Sequence, residues 1–257
     1  MPNFTEGLEI LPYLDVNLVP RIAIRTSAGD LYFHMYGEYT EFRVRTTLTK
    51  EPETIQWIES MKPGEHFWDI GANIGVYSCF AGLRGVLVSA FEPSPTNFWL
   101  LNQNVQINRL SSVRCLPVAV AGNTGLVGFT VDLTPAAAGV NQVNGLADGL
   151  QTQSYCLDDL VQMGGLKTPN HLKVDVDGIE LIILRGGTSI LHSEELSSVM
   201  CEVDESDSEP RIKFMTCFVR QAFRASPLVM PHTSTTTTIC RGRIISFGES
   251  ERYELKS

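Results

Sequence analysis

Phe67-Trp68-Asp69-Ile70-Gly71-Ala72-Asn73-Ile74-Gly75, followed by the apolar run Val86-Leu87-Val88-Ser89-Ala90-Phe91 and then Glu92, decides how this chain folds. An apolar run ending in a glycine-rich turn, then a second run ending on an acid, is the pattern of a parallel strand, a turn, a helix and the next strand. Gly71 and Gly75 let the backbone turn tightly and let a ligand approach it closely. A helix beginning near Asn73 directs N–H groups and its positive dipole end at a carboxylate or phosphate. Glu92, at the carboxyl end of its strand, is placed to accept hydrogen bonds from two ribose hydroxyls, so a nucleoside site is expected. A dinucleotide fingerprint needs glycine where this chain has Asn73 and Val76, so a turn that hugs a pyrophosphate is not expected. The competing reading is an ordinary turn whose glycines serve packing alone.

Outward from that unit, apolar runs at Phe67 to Ile70, Val86 to Phe91, Val113 to Ala121, His171 to Val176 and Ser198 to Val203 alternate with helical stretches. The helices fall at Asn97 to Asn108, Leu157 to Met163, Ile179 to Leu191 and Pro210 to Arg224. Alternation of this kind predicts a doubly wound, mostly parallel α/β sheet. Ahead of it, Arg21 to Thr26 and Leu31 to Tyr36 flank a Ser-Ala-Gly-Asp turn and predict a hairpin, and Glu53 to Met61 predicts a helix begun by Pro52. An antiparallel hairpin, Thr235 to Cys240 with Arg243 to Phe247, is expected to close the sheet. Thr134 to Gln151 has no clear period and is expected to be a lid or substrate loop.

With 257 residues, 43% of them hydrophobic, one large core is expected: an N-terminal hairpin and helix extension over 1–62 and the main domain over 63–257. A net charge of −9 without any basic run argues against nucleic acid as partner. The first residues lack a charged start followed by an apolar core, and no apolar run is long enough to span a bilayer, so a soluble, cytoplasmic protein is expected. Six scattered cysteines without Cys-x-x-Cys spacing fit reduced, buried thiols better than a disulfide framework or zinc site.

The fourth core strand concentrates ionisable groups. Period-two alternation in His171-Leu172-Lys173-Val174-Asp175-Val176-Asp177 puts His171, Lys173, Asp175 and Asp177 on one face and the apolar residues on the other. Such a face is costly in a sheet interior unless its charges are paired or turned to a cleft. Asp175 and Asp177 fall at the carboxyl end of the strand, where ligands of open α/β sheets sit. A structural Lys173–Asp175 ion pair is the competing reading.

Taken together these segments resemble the FkbM family of S-adenosylmethionine (SAM) methyltransferases. The resemblance rests on Lys50 to Trp57, Trp68 to Ser78, Phe91 to Asn97 with Asn104 and Asn108, Leu157-Asp158-Asp159-Leu160, and Leu172 to Glu180, spanning about Lys50 to Glu202. It implies a class I, Rossmann-like methyltransferase fold, SAM as cofactor, and transfer of methyl to a hydroxyl of a sugar, glycan or other small metabolite. Carried over, Asp69, Gly71, Ala72, Asn73 and Gly75 would hold the methionine half and Glu92 the ribose, with Ala119 to Asn123 bordering the adenine. Asp175 would be the essential acid, with Asp177 and Lys173 completing the catalytic set. Related sequences carry Glu where this chain has Asp177, one methylene shorter. Glu180 and Glu202 are further candidates for an acidic pocket. Asn97 is expected to cap the helix after Pro95, with contact to the cofactor edge as the other reading. The acids at 175, 177 and 202 are oxygen ligands of the kind Mg²⁺ prefers, but spacing alone does not fix octahedral geometry and no metal is assigned. A non-catalytic SAM-binding module and an N-directed methyltransferase are the other readings.

Overall fold

The computed structural model describes residues 19–130, 142–144, 150–163, 165–176, 178–201, 215–218, 236–240 and 243–247. A hairpin, β1 (Arg21–Thr26) and β2 (Gly29–His34), leads into two helices, α1 (Glu38–Lys50) and α2 (Pro52–Ser60). The alternating core follows: β3 (His66–Ile70), α3 (Val76–Leu83), β4 (Leu87–Phe91), α4 (Pro95–Ile107) and β5 (Val113–Leu116). After it come β6 (Ala119–Val120), β7 (Gly125–Thr130), β8 (Gln142–Asn144) and β9 (Leu150–Tyr155). Then come α5 (Leu157–Gln162), β10 (His171–Val174), α6 (Glu180–Arg185), α7 (Thr188–Leu191), β11 (Ser198–Cys201), β12 (Met215–Phe218), β13 (Thr236–Cys240) and β14 (Arg243–Phe247).

The main sheet runs β12-β11-β10-β3-β4-β5. Its first five strands in chain order are parallel and β12 is an antiparallel edge. The chain moves outward from β3 through β4 to β5 and then returns to the opposite side of β3 as β10. That reversal puts the ligand-binding crevice of such sheets over the carboxyl ends of β3 and β10. Alternation along the strands separates two cores. Phe67, Ala90 and Val88 pack with α3, α4 and the hairpin residues Leu31 and Phe33. Trp68, Ile70, Leu172 and Val174 pack with α5, α6 and α7 on the other face.

Several motif residues turn out to be joints. Asn104 accepts from the His34 backbone N–H at 2.9 Å and donates to the Ile74 carbonyl at 2.8 Å, tying the hairpin to the glycine turn. One turn on, Asn108 both accepts from and donates to the backbone of Tyr32. The open edge of β2 is thereby satisfied by side chains of α4. Asp158 accepts the N–H groups of Ser189 and Ile190 at 2.9 and 3.0 Å and so caps α7, while Asp159 accepts from Thr124.

Five expectations need correction. The helix after the glycine turn begins at Val76, with Gly75 in the left-handed region as its cap, not near Asn73. The run from Val113 to Ala121 is two strands, because Pro117 has no N–H to continue the ladder; Ala119–Val120 pairs instead with β9 in a second sheet, β6-β9-β7-β8. The helix from Ile179 to Leu191 breaks at Gly186-Gly187, where a Cβ on Gly187 would meet Leu157 at 2.5 Å. Within the helix expected over Pro210 to Arg224, residues 215–218 are the antiparallel strand β12. The C-terminal hairpin forms, but as a sheet of its own and not as a closure of the main one. Within Thr134 to Gln151, residues 142–144 are a strand paired with β7 and 150–151 begin β9; the rest lies outside the described residues. Among the described residues, no helix is long and apolar enough to cross a membrane.

Candidate active site

The glycine turn is fixed by the strands around it. Gly71 and Ala72 donate their N–H groups to the Phe91 carbonyl at 3.1 and 3.0 Å, and Gly75 donates to Ala72 at 2.8 Å. Gly71 has φ +79°, and a Cβ there would fall 1.9 Å from the Asp175 carbonyl oxygen; Gly75 has φ +84°, and its Cβ would fall 2.3 Å from Leu101. Asn73 takes φ +52°, a left-handed conformation that asparagine tolerates better than most residues.

Glu92 is buried at 4% exposure and latches this turn. Its Oε2 accepts from the Asn73 N–H and its Oε1 from the Ser94 N–H, both at 2.8 Å. Burial pushes its carboxyl up to about 7 in spite of those two N–H groups and of Arg43, which act in the opposite direction.

Asp69 stands behind the turn, wholly buried. Its Oδ2 accepts from the Ser78 hydroxyl at 2.5 Å. Oδ1 has no hydrogen-bond partner among the described residues and lies 4.0 Å from the Lys173 Nζ. Burial raises the Asp69 carboxyl, with Lys173 and Ser78 opposing. Lys173 is itself 1% exposed; burial would lower its ammonium, but Asp175 and Asp69 outweigh that and hold it above its ordinary value. Both members of the Lys173–Asp69 pair thus shift upward. At 4.0 Å the contact is too long for a hydrogen bond, and the lysine's close partner is Asp175, to which it donates directly.

A cavity of about 300 Å³ opens over the ends of β10, β3, β4 and β5. Gly71, Ala72, Asn73, Glu92 and Asp175 line it; Asp69, Gly75 and Lys173 do not, and stand behind it as supports. Val118, Ala119, Val120 and Ile179 make an apolar end, whereas Asn123 is not in the wall. His171 is at the opposite end of β10 from the cavity, with Nδ1 2.7 Å from the Ser198 Oγ and Nε2 3.0 Å from Glu65. Glu180 accepts from the Gly178 N–H and is not in the wall either. Asp177 and Glu202 lie outside the described residues. Ser94, not Asn97, holds the N-cap position of α4.

The sequence reading missed a whole side of the cavity. Tyr39, Phe42, Arg43, Thr46 and Lys50 of α1 line it, with Glu51 at the α1–α2 junction and Tyr77 of α3. The Tyr77 hydroxyl donates to Glu51 Oε2 at 2.5 Å, and its ring lies 5.1 Å from the Lys173 Nζ. Burial, then the negative charge of Glu51, raises the Tyr77 phenol well above its ordinary range. The signal was present in the i, i+3, i+4, i+7 spacing of 39, 42, 43 and 46, but polar and aromatic residues at that spacing do not read as a core-facing helix.

The profile of the Methyltransferase FkbM domain matches residues 69–224. The chain belongs to that family of SAM-dependent methyltransferases. It is 31% identical over 152 residues to the hexuronic acid methyltransferase AglP of Haloferax volcanii, covering 59% of this chain and 62% of that one. It is 28% identical over 195 residues to the 31-O-demethyl-FK506 methyltransferase FkbM of Streptomyces tacrolimicus, covering 63% and 74%. This FkbM-family chain thus spans somewhat under two thirds of the first relative's length. Among solved structures, a SAM-dependent methyltransferase from Agrobacterium tumefaciens aligns over 74% of this chain and 55% of its own at 10% identity and TM-score 0.41, which adds nothing to the topology above.

Proposed function

We propose that this chain is a SAM-dependent O-methyltransferase acting on a sugar or another small hydroxylated metabolite, with 1–62 supplying one cavity wall and 63–257 the catalytic domain. The carrying observation is the placement of Asp175 and Glu92 in one cavity, on opposite sides of the β3 turn. The cavity suits the cofactor. Each oxygen of Glu92 holds one backbone N–H, leaving lone pairs for ribose hydroxyls, and the walls at Val118 to Val120 and Ile179 suit a flat apolar base. Gly71, Ala72 and Asn73 then border the methionine half, and Asp69 and Gly75 hold the turn in shape.

Bound SAM supplies a methyl group on a sulfonium, ready for in-line displacement. The protein's work is alignment and removal of one proton. Asp175, at the carboxyl end of β10, accepts the acceptor hydroxyl's proton as general base. Lys173 acts through Asp175, fixing its rotamer from behind, so it is a positioning residue. Asp177, two residues on, is proposed as a secondary acid. The two relatives, a hexuronic acid methyltransferase and a 31-O-demethyl-FK506 methyltransferase, favour hydroxyl acceptors on oxygen-rich metabolites.

Incubation with isotopically labelled SAM and a panel of neutral sugars, uronic acids, glycolipids and alcohols tests this reading, with mass detection of the product. Label is expected on a hydroxyl oxygen. S-adenosylhomocysteine binding without transfer to any member would favour a non-catalytic binding module.

A further inference from the structure

The α1–α2 junction presents opposite charges on adjacent residues. Lys50 ends α1 and Glu51 is both its C-cap and the N-cap of α2, whose first residue is Pro52. A residue before proline is driven out of the helical region, which is why the two helices break here and Glu51 takes φ −135°, ψ 66°. The Glu51 carbonyl accepts from the N–H groups of Thr54 and Ile55 at 3.1 and 3.3 Å, so the corner is held rigidly. Its side chain is 9% exposed and turned to the cavity, with Oε2 on the Tyr77 hydroxyl and Oε1 3.4 Å from the Lys50 Nζ.

Sheet order sets which end of a nucleoside amino acid meets this corner. The cavity crosses the strand ends in the order β10, β3, β4, β5. With the ribose on Glu92 at the end of β4 and the base over Val118 to Val120 beyond β5, the rest of the molecule extends back across β3 toward β10. There it reaches Tyr77, Glu51 and Lys50. Charge matches. Glu51 and Asp175 line this end of the cavity, the one buried cation, Lys173, stands behind Asp175, and the exposed Lys50 adds a positive group at the rim, so the corner presents both signs of charge. A single cation would satisfy Glu51 but not use Lys50; an anion would do the reverse. A zwitterion uses both.

We propose that Lys50 and Glu51, steadied by Tyr77, form the seat for the α-amino acid end of the cofactor, with Glu51 taking the ammonium and Lys50 the carboxylate. The inference rests on the cofactor orientation proposed above. It assigns cofactor binding to a segment ahead of the matched FkbM domain, in addition to the glycine turn.

The test is calorimetric and needs no acceptor. S-adenosylhomocysteine and 5′-methylthioadenosine, which lacks the amino acid, are titrated into wild type, Glu51→Gln and Lys50→Met. Glu51→Gln should weaken S-adenosylhomocysteine roughly ten- to a hundredfold, the cost of losing a charge-assisted bond. Lys50→Met should weaken it about three- to tenfold, as befits an exposed pair. Methylthioadenosine affinity should stay within about twofold in both. Unchanged S-adenosylhomocysteine affinity, or equal loss of both ligands, overturns the seat. If Glu51→Gln does not fold, Lys50→Met decides, since Lys50 is 62% exposed in its side chain. Wild type that binds methylthioadenosine as tightly as S-adenosylhomocysteine refutes the seat alone; wild type that binds neither refutes the methyltransferase reading with it.

Discussion

Replacing Lys173 with methionine should unfold this protein more readily in a way that pH reveals. The ammonium is 1% exposed and is the cation nearest Asp69 and Asp175. Methionine fills most of the lysine's volume, so the cavity penalty is small and the electrical one dominates. Removing one partner of a buried pair strands the other, at a cost of about 3–5 kcal/mol. Asp69 is the residue stranded: it is 1% exposed and, among the described residues, keeps Ser78 as its hydrogen-bond partner. Its folded carboxyl, already raised by burial, loses the opposing pull of Lys173 and rises further. Between the unfolded value and that higher folded one, the native state binds more protons than the unfolded chain, so stability falls as pH rises. The deficit against wild type should therefore be about 3–5 kcal/mol at pH 8 and clearly smaller at pH 5.5. Urea unfolding followed by fluorescence of the buried Trp57 and Trp68 measures it at both pH values. Adding Asp69→Asn should recover at least about 1.5 kcal/mol at pH 8. A loss under about 1 kcal/mol, or one equal at both pH values, would refute the reasoning that Lys173 neutralises a buried acid.

Asp175→Asn should lower kcat by about 10²- to 10⁴-fold while S-adenosylhomocysteine affinity stays within a few-fold; retained turnover removes Asp175 as base. Gly71→Ala should cost about 3 kcal/mol or more because its Cβ meets the Asp175 carbonyl at 1.9 Å, whereas Gly64→Ala, also left-handed but with nothing within 4 Å, should cost only about 1 kcal/mol. Equal melting shifts in the two variants would contradict that. Because Glu92 is pushed up to about 7, it is largely protonated at pH 6 and ionised at pH 8. If the ionised form receives the ribose hydroxyls, cofactor affinity should tighten about tenfold over that range, as titration calorimetry would record, and Glu92→Gln should flatten the profile.

The parts legible in the sequence were those whose pattern is local. β3, β4 and β10 are short apolar runs bounded by turn residues, and Asp175 and Glu92 follow from position at strand ends. What escaped depends on distant partners. Helix α1 contains four threonines and a valine among thirteen residues, a composition that argues against helix on its own. It is held by tertiary contacts, including buried Val44 in the hairpin-side core. Glu51 falls in the Lys50 to Trp57 stretch of the family resemblance, but no local pattern assigns it to the site; its place in the wall is set by Tyr77, twenty-six positions later. Strand β12 sits in a stretch with helical spacing but takes its conformation from pairing with β11.

The glycine turn shows why packing and ligand binding are not rival explanations here. Gly71 is required by the Asp175 carbonyl and Gly75 by its left-handed φ of +84°, so both glycines would be demanded even in a protein that bound nothing. Yet the turn lies against the end of β10 and the middle of α4, and the Glu92 latch on Asn73 ties it to β4. The result is that three strand ends are held at fixed spacing around one cavity, with Asp175 on one side and Glu92 on the other. Binding specificity then belongs to the side chains that face the cavity, and the glycines set the distances between them. A substitution at Gly71 should accordingly disturb Asp175 as much as any cofactor contact, because the first atom that its new Cβ meets belongs to the backbone of Asp175.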